Sequence, residues 1–238
     1  MQRLVQGDVG SGKTAIAILA LTKIVENGYQ GALMAPTEVL AAQHFKTFQQ
    51  VFKGMPIKTA YLSGHTKAAE RKEILEQLKD GSIHILIGTH ALIEENVVFS
   101  ALGLVITDEQ HRFGVKQRQA LESKGKSPHV LIMTATPIPR TMALSVYGDL
   151  DVSFIKGMPP GRHPVKTYVV GSHMLQRIFR FMKKEMESGH QAYVVCPLVE
   201  QSEKQDLAAA VSVYENLRDH VFPQFGVGLV HGRMKNAE

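Results

Sequence analysis

The first residues whose types and spacing could do chemistry form a glycine-rich loop near the start of the chain. This phosphate loop is Gly7-Asp8-Val9-Gly10-Ser11-Gly12-Lys13-Thr14, which fits the spacing G-x-x-x-x-G-K-[ST]. Glycine lacks a Cβ, so backbone N–H groups can turn inward around a phosphate, and a helix beginning at Lys13 would point its positive dipole end at the same anion. The loop predicts binding of ATP with Mg²⁺, with Lys13 near the β- and γ-phosphates and the Thr14 hydroxyl on the metal. A chance glycine-rich turn is disfavoured because every fixed position is filled.

Two adjacent carboxylates, the acidic pair, follow an apolar segment later in the chain. The segment is Leu102-Gly103-Leu104-Val105-Ile106-Thr107, and the pair is Asp108-Glu109. Phosphoryl hydrolysis needs one carboxylate to hold Mg²⁺ and a second to orient the attacking water. Asp108 suits the first role and Glu109 the second. Taken alone, such a pair would indicate a solvated strand end. The phosphate loop upstream favours a catalytic role instead.

Both motifs require a sheet that places them at one edge. Short apolar segments alternate with amphipathic ones, a pattern typical of a parallel α/β sheet with helices on both faces. The predicted strands are Arg3–Gln6, Gly31–Ala35, Thr59–Leu62, Ile83–Ile87, Leu102–Thr107 and Val130–Thr134. The predicted helices are Lys13–Glu26, Glu38–Phe52, Lys67–Lys79, Val115–Ser123 and Pro139–Tyr147. The motifs fall where predicted strands end, which is where open α/β sheets bind ligands.

A proline- and glycine-rich segment at 157–164 interrupts this alternation and predicts a linker. We therefore expect a first domain over residues 1–156 and a second over residues 165–238. The elements predicted for the second are strands Val165–Val170, Gln191–Cys196 and Val227–Val230 and helices Met174–Glu187 and Ala208–Phe222. Because three strands make a poor parallel sheet, we expect this domain to be cut short. Cys196 is expected to be a small buried residue of its strand.

Composition excludes several classes of protein. The chain has 238 residues, 44% hydrophobic and 21% charged, which is a globular balance rather than a fibrous or disordered one. One cysteine excludes an intramolecular disulfide framework. A signal peptide and a membrane-spanning segment are not expected, so the chain is expected to be cytoplasmic. The net charge of +5 is compatible with a polyanionic partner.

Three further short motifs occur in a set order along the chain. They are Pro36-Thr37-Glu38, Gly88-Thr89-His90 and Thr134-Ala135-Thr136-Pro137. With the phosphate loop and Asp108-Glu109-Gln110-His111, this order resembles the superfamily 2 helicases. Longer strings look like the RecG family of branch-migration helicases, namely Gln6 to Thr14, Asp108 to Val115, Thr134 to Thr141 and Val195 to Glu200. The transcription-repair coupling factors are similar but typically carry an aromatic residue where Ser11 stands and Glu-Gln where Gln110-His111 stand.

The resemblance implies two RecA-like lobes, the second truncated, with ATP between them. It implies catalytic roles for Lys13, Asp108, Glu109 and His111. It also implies that Thr134 and Thr136, with His111, couple the nucleotide state to DNA binding. It also places Pro36, Thr37, Thr89 and His90 along the nucleic-acid path. The implied partner is branched duplex DNA, bound by a monomer. An upstream wedge domain and a later arginine finger are expected outside the chain, so the isolated chain is expected to bind ATP·Mg²⁺ but to be inactive or poorly active in DNA-stimulated hydrolysis and unwinding.

Three functions remain open on the sequence. The first is an ATP-dependent helicase or translocase on branched DNA, with a transcription-repair coupling factor as its variant. The second is a nucleotide-binding module without turnover. A small-molecule phosphotransferase is disfavoured, because a tandem second α/β unit and the Asp108-Glu109-Gln110-His111 string would have no task in it.

Overall fold

The structure is a computed structural model, and it describes residues 1–109, 115–136, 150–157, 161, 165–196, 203–231 and 234. His111, the predicted helix Pro139–Tyr147 and most of segment 157–164 lie outside the described residues. The chain divides into two compact units, Met1–His163 and Pro164–Glu238. No helix in the described part of the chain is long and apolar enough to cross a membrane.

The strands of the first unit form one parallel sheet. They are β1 (Gln2–Gln6), β2 (Gln30–Met34), β3 (Thr59–Leu62), β4 (Ile85–Gly88), β5 (Leu102–Asp108), β6 (His129–Thr134) and β7 (Asp151–Phe154). Their order across the sheet is β3-β4-β2-β5-β6-β1-β7, and each neighbouring pair is parallel. The predicted strands β1 to β6 are confirmed with small differences at their ends. The short strand β7 has no apolar run that would have predicted it.

Helices cover both faces of this sheet, as predicted. They are α1 (Lys13–Glu26), α2 (Glu38–Val51), α3 (Ala68–Lys79) and α4 (Val115–Glu122), with a 3₁₀ turn at His90–Ile93. Successive strand residues point to opposite faces, so Leu33 packs with α1 and α2 while Ala32 and Met34 pack with α3 and α4. The central strands are therefore buried on both faces, which explains why β4, β5 and β6 are nearly continuous apolar runs.

One buried polar side chain joins several elements of the sheet. Gln30, only 3% exposed, donates from Nε2 to the carbonyl oxygens of Leu78 at 2.8 Å and Ile83 at 2.7 Å. Its Oε1 accepts from the N–H of Ala101 at 2.9 Å. A buried amide without such partners would destabilise the fold. Gln30 therefore connects the end of α3 to the segment that enters β5.

The second unit contains helices in its described residues but no paired strands. The helices are α5 (Leu175–Glu187) and α6 (Glu203–Asn216), followed by a π-helical turn at Leu217–Val221. Phe179 of α5 lies edge-on to Phe222, with ring centroids 5.9 Å apart.

The strand predictions for this unit were wrong. The segments 165–170, 191–196 and 227–230 carry no strand pairing. Val169 is 99% exposed and Val195 is 87% exposed. Cys196, which was expected to be buried, is exposed as well. An apolar run becomes a strand only where a neighbour satisfies its backbone N–H and C=O groups, and an apolar pattern cannot report whether that neighbour is present.

Candidate functional site

Three of the predicted motifs meet at the carboxyl edge of the sheet because their strands are neighbours. Strands β5, β6 and β1 lie side by side. The phosphate loop follows β1, the acidic pair closes β5, and Thr134 ends β6. The backbone N–H of Gly7 donates to the carbonyl oxygen of Thr134 at 3.2 Å, so the first and third motifs are directly hydrogen-bonded.

The backbone of the phosphate loop depends on glycine at its two ends. Gly12 has a φ of 97°, a left-handed conformation that residues with a Cβ rarely adopt, and α1 begins at the next residue. Gly7 is required by space, because a Cβ there would lie 2.5 Å from Oγ of Ser11 and 3.0 Å from Cβ of Ile155. The first turn of α1 follows the loop directly, and the N–H groups of Ala15 and Ile16 donate to the carbonyl oxygen of Gly12 at 3.0 and 3.3 Å.

The loop supplies polar groups that fit a nucleotide phosphate. The Lys13 ammonium donates to the carbonyl oxygens of Gly7 at 2.7 Å and Asp8 at 2.9 Å. Oγ of Ser11 is buried and has no hydrogen-bond partner among the described residues. Thr14 is half-buried in the first turn of α1. A cation, a buried hydroxyl and the start of a helix are groups that could hold an anion, which is the chemistry expected for ATP.

The acidic pair is held in a fixed geometry by its neighbours. Asp108 is 8% exposed, and its Oδ1 accepts from the N–H of Glu109 at 3.1 Å. Its Oδ2 lies 2.7 Å from Nε2 of His44 on α2. Glu109 has a φ of 47°, unusual for a residue with a side chain. Such a backbone costs on the order of 1–3 kcal/mol and is characteristic of functional sites.

The segment Thr134–Thr136 connects the other two motifs. Oγ1 of Thr134 and Oγ1 of Thr136 are 2.8 Å apart, and the N–H of Thr136 donates to Oγ1 of Thr134 at 3.1 Å. The N–H of Ala135 donates to Oε1 of Glu109 at 3.3 Å. Nε2 of Gln6, at the end of β1, donates to the carbonyl oxygen of Thr136 at 3.3 Å. A shift of this segment would therefore change its hydrogen bonds to both the acidic pair and the phosphate loop.

The residues expected on the nucleic-acid path lie at the carboxyl ends of β2 and β4. Thr37 caps α2, since its Oγ1 accepts from the N–H of Leu40 at 3.3 Å, and Pro36 precedes it. His90 is exposed at the start of the 3₁₀ turn. Thr89 is only 2% exposed and its hydroxyl is buried, so its side chain does not reach the surface in this conformation. His111 lies outside the described residues.

Two histidines at this edge were not singled out from the sequence. His44 lies on the buried face of α2 against Asp108, and only its place in the fold reveals the contact. Nδ1 of His65 lies 2.8 Å from Oε1 of Glu38. That hydrogen bond is the main reason why the pKa of Glu38 is lowered and the pKa of His65 is raised. The loop after β3 thus adds a hydrogen-bonded histidine and carboxylate beside Thr37.

The sheet, the loop and the acidic pair agree with the family comparison. Residues 2–144 match the DEAD/DEAH box helicase family. The chain belongs to this family. Its fold is accordingly the RecA-like helicase fold, with the phosphate loop after β1 and the acidic pair at the end of β5.

Within this family, the chain is similar to the RecG helicases in both sequence and structure. The chain is 53% identical to the ATP-dependent DNA helicase RecG of Bacillus subtilis (strain 168), over 100% of this chain and 35% of that protein. It is 50% identical to the RecG of Thermotoga maritima, over 100% of this chain and 30% of that protein. A structure of RecG bound to a three-way DNA junction is 46% identical with a TM-score of 0.74, covering 93% of this chain and 29% of that one. The chain thus spans about a third of the relatives' length. The expected resemblance to the RecG helicases is confirmed.

Proposed function

We propose that this chain is the ATP-driven motor region of a DNA helicase or translocase that acts on branched DNA. The observation that carries the proposal is the hydrogen-bonded meeting of the phosphate loop, the acidic pair and the segment Thr134–Thr136 at one sheet edge. Similarity over the whole chain to proteins named ATP-dependent DNA helicase RecG supports the reaction. The branched substrate is supported by the solved RecG structure, whose DNA is a three-way junction.

Each residue of the nucleotide site has a separate task in this proposal. Lys13 and the N–H groups of the phosphate loop bind the phosphates, while the Thr14 hydroxyl and the Asp108 carboxylate would hold Mg²⁺. When bound, Mg²⁺ neutralises phosphate charge and polarises the terminal phosphoryl group. Glu109 orients the attacking water and accepts its proton at the carboxylate that Ala135 positions. His111 joins the catalytic residues by its place in the motif.

Coupling to DNA would pass through the segment Thr134–Thr136. Its hydrogen bonds reach Glu109 and Gln6, so a change at the nucleotide would displace it and alter the DNA-facing edge. Pro36, Thr37, Thr89 and His90 would line that edge, giving backbone and hydroxyl contacts to phosphates. For Thr89 the contact would require its buried hydroxyl to turn outward.

The domain organisation and the state of the chain are part of the same proposal. We assign the first RecA-like domain to residues 1–156, a linker to 157–164 and a partial second RecA-like domain to 165–238. The division into compact units between His163 and Pro164 supports a boundary in this region. The chain would act as a monomer in the cytoplasm, and sedimentation with and without DNA would test the monomeric state.

Binding and hydrolysis measured on the same protein test the function. Fluorescence anisotropy with a labelled three-way junction and a linear duplex of equal length would report DNA affinity from low to moderate salt. We expect weak, sequence-independent binding to both DNAs and a steady loss of affinity with salt, because the expected contacts go to phosphates. Phosphate release from ATP should rise when the junction is added to a protein that extends beyond Glu238 and completes the second lobe. Salt-independent binding or base-specific binding would contradict the proposal.

A further inference from the structure

A histidine from a neighbouring helix contacts the carboxylate expected to hold the metal ion. Nε2 of His44 lies 2.7 Å from Oδ2 of Asp108, and each residue is only 8% exposed. A carboxylate only accepts hydrogen bonds, so the N–H at Nε2 of His44 is the donor. A bond of this length to an acidic oxygen in a buried setting fixes the orientation of both side chains.

His44 lies on the buried side of α2, so its contact with Asp108 is part of the protein interior. Ala41, His44 and Phe48 lie on the side of α2 that is buried against the sheet. Ala41 and Phe48 are fully buried apolar residues there. An apolar side chain would fill this stripe as well as imidazole does, and it would not need a polar partner. Imidazole is the one group of the three that can donate to Asp108.

We infer that His44 is a positioning residue that sets the orientation of the Asp108 carboxylate for Mg²⁺. The inference rests on the proposed role of Asp108 as a metal ligand. With Oδ2 held by His44 and Oδ1 accepting from the N–H of Glu109, the carboxylate cannot rotate about its terminal bond without breaking a hydrogen bond. The lone pairs that remain point in fixed directions at the sheet edge. Residues that orient a metal ligand in this way typically affect metal affinity by about 10- to 100-fold.

Two substitutions at position 44 separate positioning from packing. His44→Gln keeps an N–H donor at nearly the distance of Nε2, whereas His44→Leu keeps the volume and removes the donor. His44→Asn is a third variant, polar but too short to reach Asp108. His84→Leu is the matched control, because it removes an imidazole whose Nδ1 accepts from the N–H of Lys58 at 2.9 Å, away from the site.

The readout is the Mg²⁺ dependence of nucleotide binding by the whole chain. A fluorescent non-hydrolysable ATP analogue is titrated in EDTA and then at increasing MgCl₂, and thermal unfolding is followed in parallel. We expect His44→Leu and His44→Asn to raise the half-maximal Mg²⁺ concentration by about tenfold. His44→Gln should lie close to the native chain, as should His84→Leu. Affinity in EDTA should be the same for all of them.

The outcomes distinguish this inference from the proposed function. If Mg²⁺ strengthens nucleotide binding in the native chain but the Leu, Asn and Gln variants respond alike, the positioning role of His44 is overturned and the function stands. If Mg²⁺ has no effect on the native chain, both the role of Asp108 and that of His44 are overturned. If His44→Leu fails to fold, the comparison of His44→Gln with His44→Asn decides the question on its own.

Discussion

The backbone N–H of Ala135 donates to Oε1 of Glu109 at 3.3 Å, although Glu109 follows β5 and Ala135 follows β6. The contact holds one carboxylate oxygen while Glu109 adopts its left-handed backbone. A strained backbone and a held side chain together fix the second oxygen in space. Such pre-organisation is what a residue that orients water requires.

Substitution of Glu109 by glutamine should separate nucleotide binding from hydrolysis. The amide oxygen of the variant can still accept from Ala135, so the geometry is kept, but an amide cannot take a proton from water. We expect nucleotide affinity to be unchanged and phosphate release to fall by about 10²-fold or more. Calorimetry with ATP·Mg²⁺ measures the affinity, and a phosphate-release assay with DNA, on a protein completed beyond Glu238, measures the hydrolysis. If hydrolysis persists in Glu109→Gln, another group orients the water.

Removal of the Lys13 ammonium should abolish tight binding of ATP·Mg²⁺. Lys13 is the loop cation, and its donors now satisfy the carbonyl oxygens of Gly7 and Asp8. For Lys13→Ala we expect the affinity to fall by at least about tenfold, or 1.4 kcal/mol. Lys23→Ala on the same helix is the matched control, since Lys23 is exposed and pairs with Glu26 at 3.2 Å. If the two variants bind ATP·Mg²⁺ with equal affinity, the assignment of this loop as the phosphate-binding loop is wrong.

Gln30 should matter for stability rather than for chemistry. Gln30→Ala leaves the N–H of Ala101 and the carbonyl oxygens of Leu78 and Ile83 without their partner in a buried place. We expect the free energy of unfolding to fall by about 1–3 kcal/mol, measured in urea. Gln49→Ala, at an exposed position of α2, should change it little. A loss no larger than that of the control would show that water replaces the lost bonds.

The placement of the phosphate loop and the acidic pair at strand ends could be predicted from the sequence because these motifs are local. The phosphate loop and the acidic pair are short strings with fixed spacing, and each follows an apolar run that became a strand. The contacts between them depend on strand order, which places β6 between β5 and β1. No local pattern specifies that order. His44 was missed for this reason, since its partner Asp108 is far away in the sequence.

The strand predictions for the second unit show the opposite case. The apolar segments at 165–170 and 191–196 have the composition of strands, yet no strand pairing joins them to the described part of that unit. The helix predicted over Met174–Glu187 is confirmed as α5, on which Ile178 and Met182 are half-buried while Arg177 and Arg180 are exposed. A helix satisfies its own backbone groups, whereas a strand needs a partner elsewhere in the chain.

The pair formed by Glu38 and His65 gives a pH-dependent test beside the expected DNA path. The 2.8 Å hydrogen bond between Nδ1 of His65 and Oε1 of Glu38 is the largest cause of the lowered pKa of Glu38 and of the raised pKa of His65. A raised histidine pKa contributes stability that is lost as pH rises through the folded value, and a lowered carboxyl pKa contributes stability that is lost as pH falls through its folded value. Both side chains are therefore charged, and their attraction is strongest, only between these two pKa values. Titration of the His65 ring by NMR should give a pKa above the ordinary value of about 6.5, and Glu38→Gln should lower it because the charged acceptor is removed.

Asp80→Asn is the control, a carboxyl on another loop whose own pKa is lowered by Ser82 rather than by a histidine. If His65 titrates at the same pH in the native chain and in Glu38→Gln, the two side chains do not form this bond in solution.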